Sequence, residues 1–349
     1  MKNSILSLVL FLLPFLYTFA QQEESKAFEV VQNAVQLMDD GHVDESIKLL
    51  KEILNTTPNC YICKYELAYA YTLKQDYREV VNILKKLEKH KEATDLLYQM
   101  LGNAYDYMGN SNNAMKTYKR GLKKFKNSGR LYLEQGVVQM GKNEYDKALD
   151  YFKKGIEVEP MFPSNYYWTA RLFCNSDEEV WGMIYGEIFM NLERNTRRTS
   201  EISKLLYDTY ESEIQITDNA ISVSFSKNNT IYFNPKDIIS LKIPFGIGIY
   251  EPTLLSSIVS EKTININTLD SIRTRFVDLY FENSNQEKYP NILFNYQKQV
   301  KDAGHLSAYN HWILMQGDNT AFEEWHTDNE EKWDNFVDWF IQNPMKISF

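Results

Sequence analysis

The chain has 349 residues, of which 44% are hydrophobic and 24% are charged, a balance typical of globular proteins and not of disordered or collagen-like chains. The 47 acidic side chains outnumber the 38 basic ones, and the net charge of −9 argues against a general nucleic-acid-binding protein, which needs a basic surface. Three cysteines are too few for a disulfide framework. The 24 Tyr and 19 Phe, set beside only 14 Gly and 9 Pro, favour closely packed helices.

Residues 1–20 predict a secretory signal peptide. Lys2 supplies a basic start, an apolar run extends from Ile5 to Leu16, and the small residue Ala20 precedes a polar stretch. A membrane-spanning helix needs about 20 apolar residues, so the short run disfavours the alternative of an uncleaved membrane anchor. No later segment is apolar enough to span a bilayer. We therefore expect a periplasmic or secreted chain that has no stable membrane insertion after signal cleavage.

A period of 34 residues organises the next part of the chain. Small residues recur at this spacing in one column, namely Ala34, Ala68, Gly102, Gly136 and Ala170. Large residues dominate a second column, which contains Leu50, Leu84, Tyr118, Phe152 and, as an exception, Gly186. A small residue on one helix lets the next helix approach closely, and a large residue fills the remaining gap. The columns therefore predict about five stacked pairs of antiparallel helices and a mainly α fold.

This pattern resembles the tetratricopeptide repeat family, and the third and fourth units carry the resemblance best. Their matching residues are Tyr98, Leu101, Gly102, Tyr105, Gly109, Ala114 and Tyr118, followed by Tyr132, Gly136, Tyr145, Ala148, Phe152 and Pro160. The resemblance covers residues 27–194 and implies a helix-turn-helix solenoid with units at 27–60, 61–94, 95–128, 129–162 and 163–194. In the fifth unit, Gly182 and Gly186 predict close approach of another backbone, which we interpret as the docking seam for the C-terminal region.

The resemblance also implies a binding surface. Family members bind extended peptides or partner proteins on the concave face that the first helix of each pair lines. Carrying that face over gives the candidate site residues Tyr65, Tyr69, Gln99, Asn103, Asp106, Leu133, Tyr167 and Arg171. Tyrosine offers a large rigid surface with a polar tip, and the amides of Gln99 and Asn103 can bracket a peptide backbone. The Lys and Asn clamp with which some members hold a C-terminal carboxylate is absent. The alternative is that some of these tyrosines pack against the C-terminal region.

Residues 200–349 lack the period and resemble no family. Their patterns predict a mostly helical α+β domain of unknown family with a small β-hairpin. The predicted hairpin pairs Ile221–Phe225 with Thr230–Phe233 across an Asn-Asn turn. The predicted helices are Glu201–Ser212, Asn291–Asp302, Leu306–Met315 and Glu330–Gln342, and helical periodicity also returns from Leu269. The last of them places Phe336 and Phe340 on one side and Asp334 and Asp338 on the other.

Motifs that carry chemistry are scarce. Cys60 and Cys63 have redox-like spacing, but a helix precedes them and no second pair completes a zinc site, so we predict a local disulfide or ordinary helix residues. The five histidines include no pair spaced three or four apart, which predicts no helical metal motif. The sequence thus predicts no catalytic residue, no metal site and no cofactor. It leaves open an acid–base pair of carboxylates that are distant in sequence.

Charge is unevenly distributed. Lys116–Arg130 contains seven basic residues and no acidic one, whereas Asp318–Asp338 contains eight acidic residues and one lysine. Either stretch can be a solvated helix face, or the acidic end docks near the basic helix and partly closes the groove. The leading hypothesis is an exported, non-enzymatic scaffold that binds a protein or peptide partner and no nucleic acid. The alternative treats residues 200–349 as a hydrolase, small-ligand or glycan-binding domain that the repeats present.

Overall fold

The computed structural model describes residues 26–227, 244–258 and 261–347. The chain divides into two compact units, Met1–Lys142 (unit 1) and Asn143–Phe349 (unit 2). Within the described ranges the regular structure consists of eighteen α-helices, one π-helical turn and one two-stranded sheet. The mainly α fold predicted from the sequence is therefore confirmed. The predicted signal peptide, residues 1–20, lies outside the described residues.

Unit 1 consists of helices that pack consecutively along the chain. They are α1 (residues 26–39), α2 (Val43–Thr56), α3 (Tyr61–Leu73), α4 (Tyr77–Leu87), α5 (Asp95–Tyr107), α6 (Ser111–Lys124) and α7 (Gly129–Met140). Each helix from α2 to α7 contacts the next, and α5 also contacts both α3 and α7 directly. The odd-numbered helices therefore lie side by side in one layer and the even-numbered helices lie in the other. We call the surface of α1, α3, α5 and α7 the odd-helix face.

The 34-residue columns correspond to the contacts that hold these helix pairs together. At Gly102 of α5, an added Cβ would lie 2.0 Å from the ring of Tyr118 on α6, so only glycine allows this approach. Ala34, Ala68 and Tyr118 are almost fully buried, as the columns predict. The turn after α5 ends at Gly109, whose φ of +74° is a conformation that glycine adopts without strain. The period thus records a helix contact that is made again in every pair.

Unit 2 contains the remaining helices and the sheet. Its helices are α8 (Tyr145–Val158), α9 (Pro163–Phe173), α10 (Glu179–Leu192), α11 (Arg197–Glu213), α12 (Glu251–Ile258), α13 (Ile266–Glu282), α14 (Asn285–Lys288), α15 (Ile292–Asp302), α16 (Leu306–Leu314), α17 (Asn319–Asp328) and α18 (Glu330–Gln342). A π-helical turn, Gly246–Tyr250, leads into α12. One hydrophobic core extends from Ile156 to Ile347. Helices α9 and α10, which the period assigns to the fifth repeat, therefore share a core with the C-terminal region.

The two glycines of α10 have different neighbours. An added Cβ at Gly186 would meet Leu206 at 3.0 Å and Ile202 at 3.3 Å, and both of these residues belong to α11. The predicted close approach of the C-terminal region is confirmed at this position. The same prediction is wrong for Gly182, where an added Cβ would meet the Sγ atom of Cys174, just after α9, at 2.4 Å. Gly182 allows close packing inside the helix pair, and Gly186 allows the next helix to dock.

The small sheet is present, but its predicted partner strand is wrong. Strand β1 (Ile214–Ile216) pairs antiparallel with β2 (Ile221–Val223), so the partner precedes β2 instead of following it. The connecting turn is closed by a hydrogen bond from the Thr217 amide to the Ala220 carbonyl at 2.9 Å. Asp218 and Asn219 occupy that turn and favour it as strongly as the Asn-Asn pair used in the prediction. The predicted strand Thr230–Phe233 lies outside the described residues.

The helices predicted for the C-terminal region are confirmed. They appear as α11, α15, α16 and α18, and their ends agree with the predicted ends to within a few residues. In α18, Phe336 and Phe340 are buried while Asp334 and Asp338 are exposed, which is the predicted amphipathic arrangement. Unit 2 is therefore the mostly helical α+β region that the sequence indicates.

Candidate functional site

Unit 1 exposes different chemistry on its two layers of helices. Seven large hydrophobic side chains of its described residues are more than a third exposed, and all lie on odd-numbered helices or directly after α5: Phe28, Ile62, Tyr69, Leu73, Leu96, Tyr107 and Met108. The described residues of α2, α4 and α6 contribute none to this set. Those helices instead expose lysines such as Lys48, Lys85 and Lys119. Exposed apolar surface is therefore concentrated on the odd-helix face.

The exposed apolar residues form two rows that follow the repeat. Phe28, Ile62 and Leu96 are 34 residues apart, so they occupy the same position near the start of α1, α3 and α5. Phe28 and Ile62 line a cleft of about 680 Å³. Leu73 and Tyr107, also 34 residues apart, mark the opposite ends of α3 and α5. We call these sets the start row and the end row.

A polar cluster occupies α5 and α7 between the two rows. The Gln99 amide donates to Glu134 Oε1 at 2.6 Å, and Arg130 Nη1 donates to Gln99 Oε1 at 3.3 Å. The Asn103 amide is assigned with its nitrogen inward, where it donates to Glu134 Oε2 at 3.1 Å and to Tyr118 Oη at 2.6 Å, because this orientation satisfies the acceptors around it. Two amides predicted as site residues therefore converge on one carboxylate.

Glu134 is the functional residue that the sequence reasoning missed. Burial raises the pKa of its carboxyl group, while the hydrogen bonds from Gln99 and Asn103 and the charge of Arg130 act in the opposite direction. The nearby carboxylate of Asp106 raises the pKa further, and that carboxylate itself accepts a hydrogen bond from Ser111 Oγ at 2.7 Å. Glu134 directly follows Leu133, a predicted site residue. Its presence one position away was the available signal, but the cross-helix contact was not readable from one sequence.

The tyrosines of α3 complete the cluster. Tyr69 is 41% exposed, and Tyr65 is half-buried with its ring stacked at 6.2 Å from the ring of Tyr61. Burial raises the pKa of Tyr65 to about 12, so its phenol remains a neutral hydrogen-bond donor at neutral pH. Leu133 is buried in unit 1 and offers no open surface. Five of the six predicted residues in unit 1 thus reach the odd-helix face.

Tyr167 and Arg171, the other two predicted residues, belong to unit 2. Tyr167 is buried, donates to Glu201 Oε2 at 2.6 Å and accepts from Arg171 Nη1 at 2.9 Å. The Arg198 guanidinium also lies 5.1 Å from its ring centroid. Glu201 and Arg198 both come from α11, so this aromatic ring packs against the C-terminal region, the alternative considered for such residues. We therefore place the candidate site on α3, α5 and α7 of unit 1.

A second polar cluster lies in the core of unit 2. Arg273 donates two hydrogen bonds to the Glu187 carboxylate, at 2.8 and 2.9 Å, and a third to Asn310 at 2.8 Å. Gln297 adds a hydrogen bond to Glu187 at 2.6 Å. The side chains of the ion pair are only 5% and 3% exposed. The adjoining cavity measures about 20 Å³, which is the size of a water site. This cluster is a structural element of the core.

His311, a candidate for chemistry in unit 2, is enclosed. Its Nδ1 lies 2.8 Å from the Ser307 carbonyl oxygen and its Nε2 lies 3.1 Å from the Asn267 amide oxygen. Its ring stacks on Trp325 with centroids 4.0 Å apart. Burial lowers the pKa of His311, which favours the neutral ring. Both nitrogens and one face of the ring are therefore engaged within the fold.

The cysteine pair has a structural role, and the described residues offer no cluster for a metal. Cys60 and Cys63 form a disulfide at the start of α3, where the Cys60 sulfur also accepts a hydrogen bond from the Cys63 amide at 3.2 Å. Residues 26–227, 244–258 and 261–347 bring together no group of three or more His, Cys, Asp or Glu side chains suited to a metal ion. Within the same ranges no helix has the length and apolar character needed to cross a bilayer.

Comparison with known proteins identifies the repeats. Residues 96–123 and 129–160, which correspond to α5–α6 and α7–α8, match the family model described as tetratricopeptide repeat. The chain contains tetratricopeptide repeats. The matched segments coincide with the third and fourth predicted units, and the stacked helix pairs are those of a tetratricopeptide repeat solenoid. The sequence has no match among curated proteins.

Several solved structures are similar over the repeats. TTC0263, a tetratricopeptide repeat protein of Thermus thermophilus, is 18% identical, with 52% of this chain and 98% of that chain covered and a TM-score of 0.44. Pseudomonas aeruginosa pilF is 14% identical, with coverage of 54% and 85% and a TM-score of 0.46. MamA of Desulfovibrio magneticus RS-1 is 17% identical, with coverage of 49% and 97% and a TM-score of 0.39.

Proposed function

We propose that this protein is an exported, non-catalytic scaffold that binds an extended segment of a partner protein on the odd-helix face of unit 1. The observation that carries the proposal is the segregation of exposed apolar side chains onto the odd-numbered helices, while the even-numbered helices of the described unit expose charge. Large exposed apolar surface on a soluble fold marks an interaction site. Tetratricopeptide repeat proteins bind protein partners, which is consistent with this surface.

The spacing of the rows suits an extended chain. Neighbouring packed helices lie about 8–10 Å apart, and an extended peptide advances about 3.3 Å per residue. Every third residue of a bound peptide would therefore meet the next odd-numbered helix. The start row, which contains Phe28, Ile62 and Leu96, would supply apolar contacts, and the polar cluster around Glu134 would set orientation. Affinity and specificity thus come from different parts of one face.

The binding proposal is tested by selecting peptides and then removing single side chains. Random dodecapeptides would be selected on the mature chain, and the affinity of the best peptide would be measured by fluorescence anisotropy. Leu96→Ser and Tyr107→Ser should each weaken binding by about tenfold, since each removes an exposed apolar contact. Lys119→Ser, on the exposed side of α6, is the matched control and should leave affinity unchanged. Equal loss in the control, or selection of no peptide, would count against the proposal.

Export is supported by the pattern of residues 1–20 and by the Cys60–Cys63 disulfide, since disulfides persist in oxidising compartments. Expression in a host with a secretory pathway, followed by fractionation and N-terminal sequencing, tests it. We expect the mature chain to begin at Gln21 in the exported fraction. Recovery of a chain that keeps residues 1–20 in the membrane fraction would instead support the anchor.

A further inference from the structure

We propose that the polar cluster of the odd-helix face receives a cationic side chain, Lys or Arg, of the bound segment. This inference rests on the proposed function and specifies the chemistry of its partner. The cluster contains the carboxylates of Asp95, Asp106 and Glu134 but only one guanidinium, that of Arg130. Three negative groups against one positive group leave an excess of two negative charges. A basic side chain would neutralise part of that excess.

Glu134 has the geometry to accept such a side chain. It is partly exposed, and the hydrogen bonds on its two oxygens come from the neutral amides of Gln99 and Asn103. Each carboxylate oxygen has two lone pairs, so each retains capacity for a further donor. Amides orient a carboxylate without neutralising it. The ammonium of lysine or the guanidinium of arginine would supply the missing charge, and charge-assisted bonds of this kind are about twice as strong as neutral ones.

The electrostatic cost of the present arrangement supports the same conclusion. Partial burial and the neighbouring Asp106 carboxylate raise the pKa of Glu134, so its charged form lacks full compensation. A cation placed next to Glu134 would reverse this shift, and the ligand would gain the corresponding interaction free energy. A carboxylate on the ligand would add a further like charge beside Asp106 and Glu134. The site therefore discriminates against acidic segments.

Aromatic rings stand next to the cluster on the neighbouring helix. Tyr69 lies one period before Asn103, so it occupies on α3 the position that Asn103 occupies on α5, and its ring is 41% exposed. Tyr65 is close enough to Arg130 of α7 for that charge to lower its pKa. Exposed tyrosine faces attract ammonium and guanidinium groups by about 0.5–1 kcal/mol. Carboxylates and tyrosines side by side are thus suited to a cationic side chain.

The test uses the mature chain and three dodecapeptide libraries that differ only at one fixed central residue: arginine, its neutral isostere citrulline, or glutamate. Affinities are measured by fluorescence anisotropy of the pooled libraries and of selected members. We expect the arginine library to bind at least about tenfold more tightly than the citrulline library, and the glutamate library to bind most weakly. Citrulline keeps the shape and removes the charge, so the ratio isolates the charge.

Variants assign the preference to the cluster. Glu134→Gln should reduce the arginine-to-citrulline ratio to below about threefold while citrulline binding persists. Asp106→Asn should reduce the ratio by a smaller factor and provides a second variant if the first fails to fold. Glu52→Gln, on the exposed side of α2, makes the same chemical change elsewhere in unit 1 and should leave the ratio unchanged.

The outcomes separate this inference from the proposed function. Equal binding of the arginine and citrulline libraries, or a ratio that survives both cluster variants, overturns the cationic preference but leaves peptide binding in place. Tighter binding of the glutamate library overturns it as well. Binding of none of the three libraries overturns the proposed function, and the cationic preference falls with it. A ratio lost in Glu134→Gln and kept in Glu52→Gln supports both.

Discussion

Each unit contains a glutamate on a helix interface, and the two glutamates have opposite surroundings. Glu187 of unit 2 is buried and meets Arg273 through two hydrogen bonds, whereas Glu134 of unit 1 is partly exposed and is held by two amides. The first carboxylate is neutralised within the fold, and the second is only oriented. A charge that is compensated internally stabilises a core, while an uncompensated charge at a surface is available to a partner.

The largest expected effect comes from breaking the compensated pair. Arg273→Met should lower the free energy of unfolding by about 3–5 kcal/mol, because it leaves Glu187 buried without its cation. Urea unfolding monitored by circular dichroism measures the change. The control is Lys298→Met, which breaks the more exposed pair with Asp302 and should cost less than about 1 kcal/mol. Similar losses in the two variants would show that the core pair contributes nothing special.

Within unit 1 the packing of the repeat should matter more than any one of its surface charges. Gly102→Ala places a Cβ 2.0 Å from the Tyr118 ring and should destabilise the protein by about 1–3 kcal/mol through overpacking. Gly141→Ala is the matched control, because its Cβ would meet only backbone oxygens at 3.6 Å or more. The difference in thermal unfolding midpoint between the two variants measures the effect. A neutral Gly102→Ala would contradict the role assigned to the small-residue column.

The smallest expected effect is the pH dependence contributed by Glu134. Its pKa is raised in the folded state, so the folded protein binds this proton more tightly than the unfolded chain does. The resulting stability is fully present below the unfolded pKa and is lost as pH rises through the folded pKa. Arg130, Asp106 and Tyr118 face the same group, and Arg130 limits the size of the effect.

Comparing stability curves isolates this contribution. Wild type should gain less than about 1 kcal/mol relative to Glu134→Gln when the pH falls from neutrality towards the ordinary glutamate value. Urea unfolding at several pH values measures the difference between the two proteins. Glu52→Gln should give a curve parallel to wild type, since Glu52 is exposed on α2. Parallel curves for Glu134→Gln as well would show that its carboxyl group is not perturbed.

The sequence predicted the features that repeat and missed those that occur once. Columns such as Gly102 with Tyr118 were readable because the same contact between paired helices recurs every 34 residues. Glu134 was missed because its contact with Gln99 spans two stacked repeats at a separation of 35 residues and exists in one place only. The partner of β2 was wrong because two adjacent turn sequences competed locally. Tyr167 fits its column, yet non-periodic helix α11 covers it.

The start row also sets a ruler. Phe28, Ile62 and Leu96 place one apolar side chain on each successive odd-numbered helix, so the length of the recognised segment is proportional to the number of repeats. Duplicating residues 95–128 in register would add one rung and extend the matching segment by about three residues. Longer ligands would then be accommodated by gene duplication alone, with no redesign of an existing contact. Modular growth of this kind makes the row a natural starting point for engineering receptors of chosen reach.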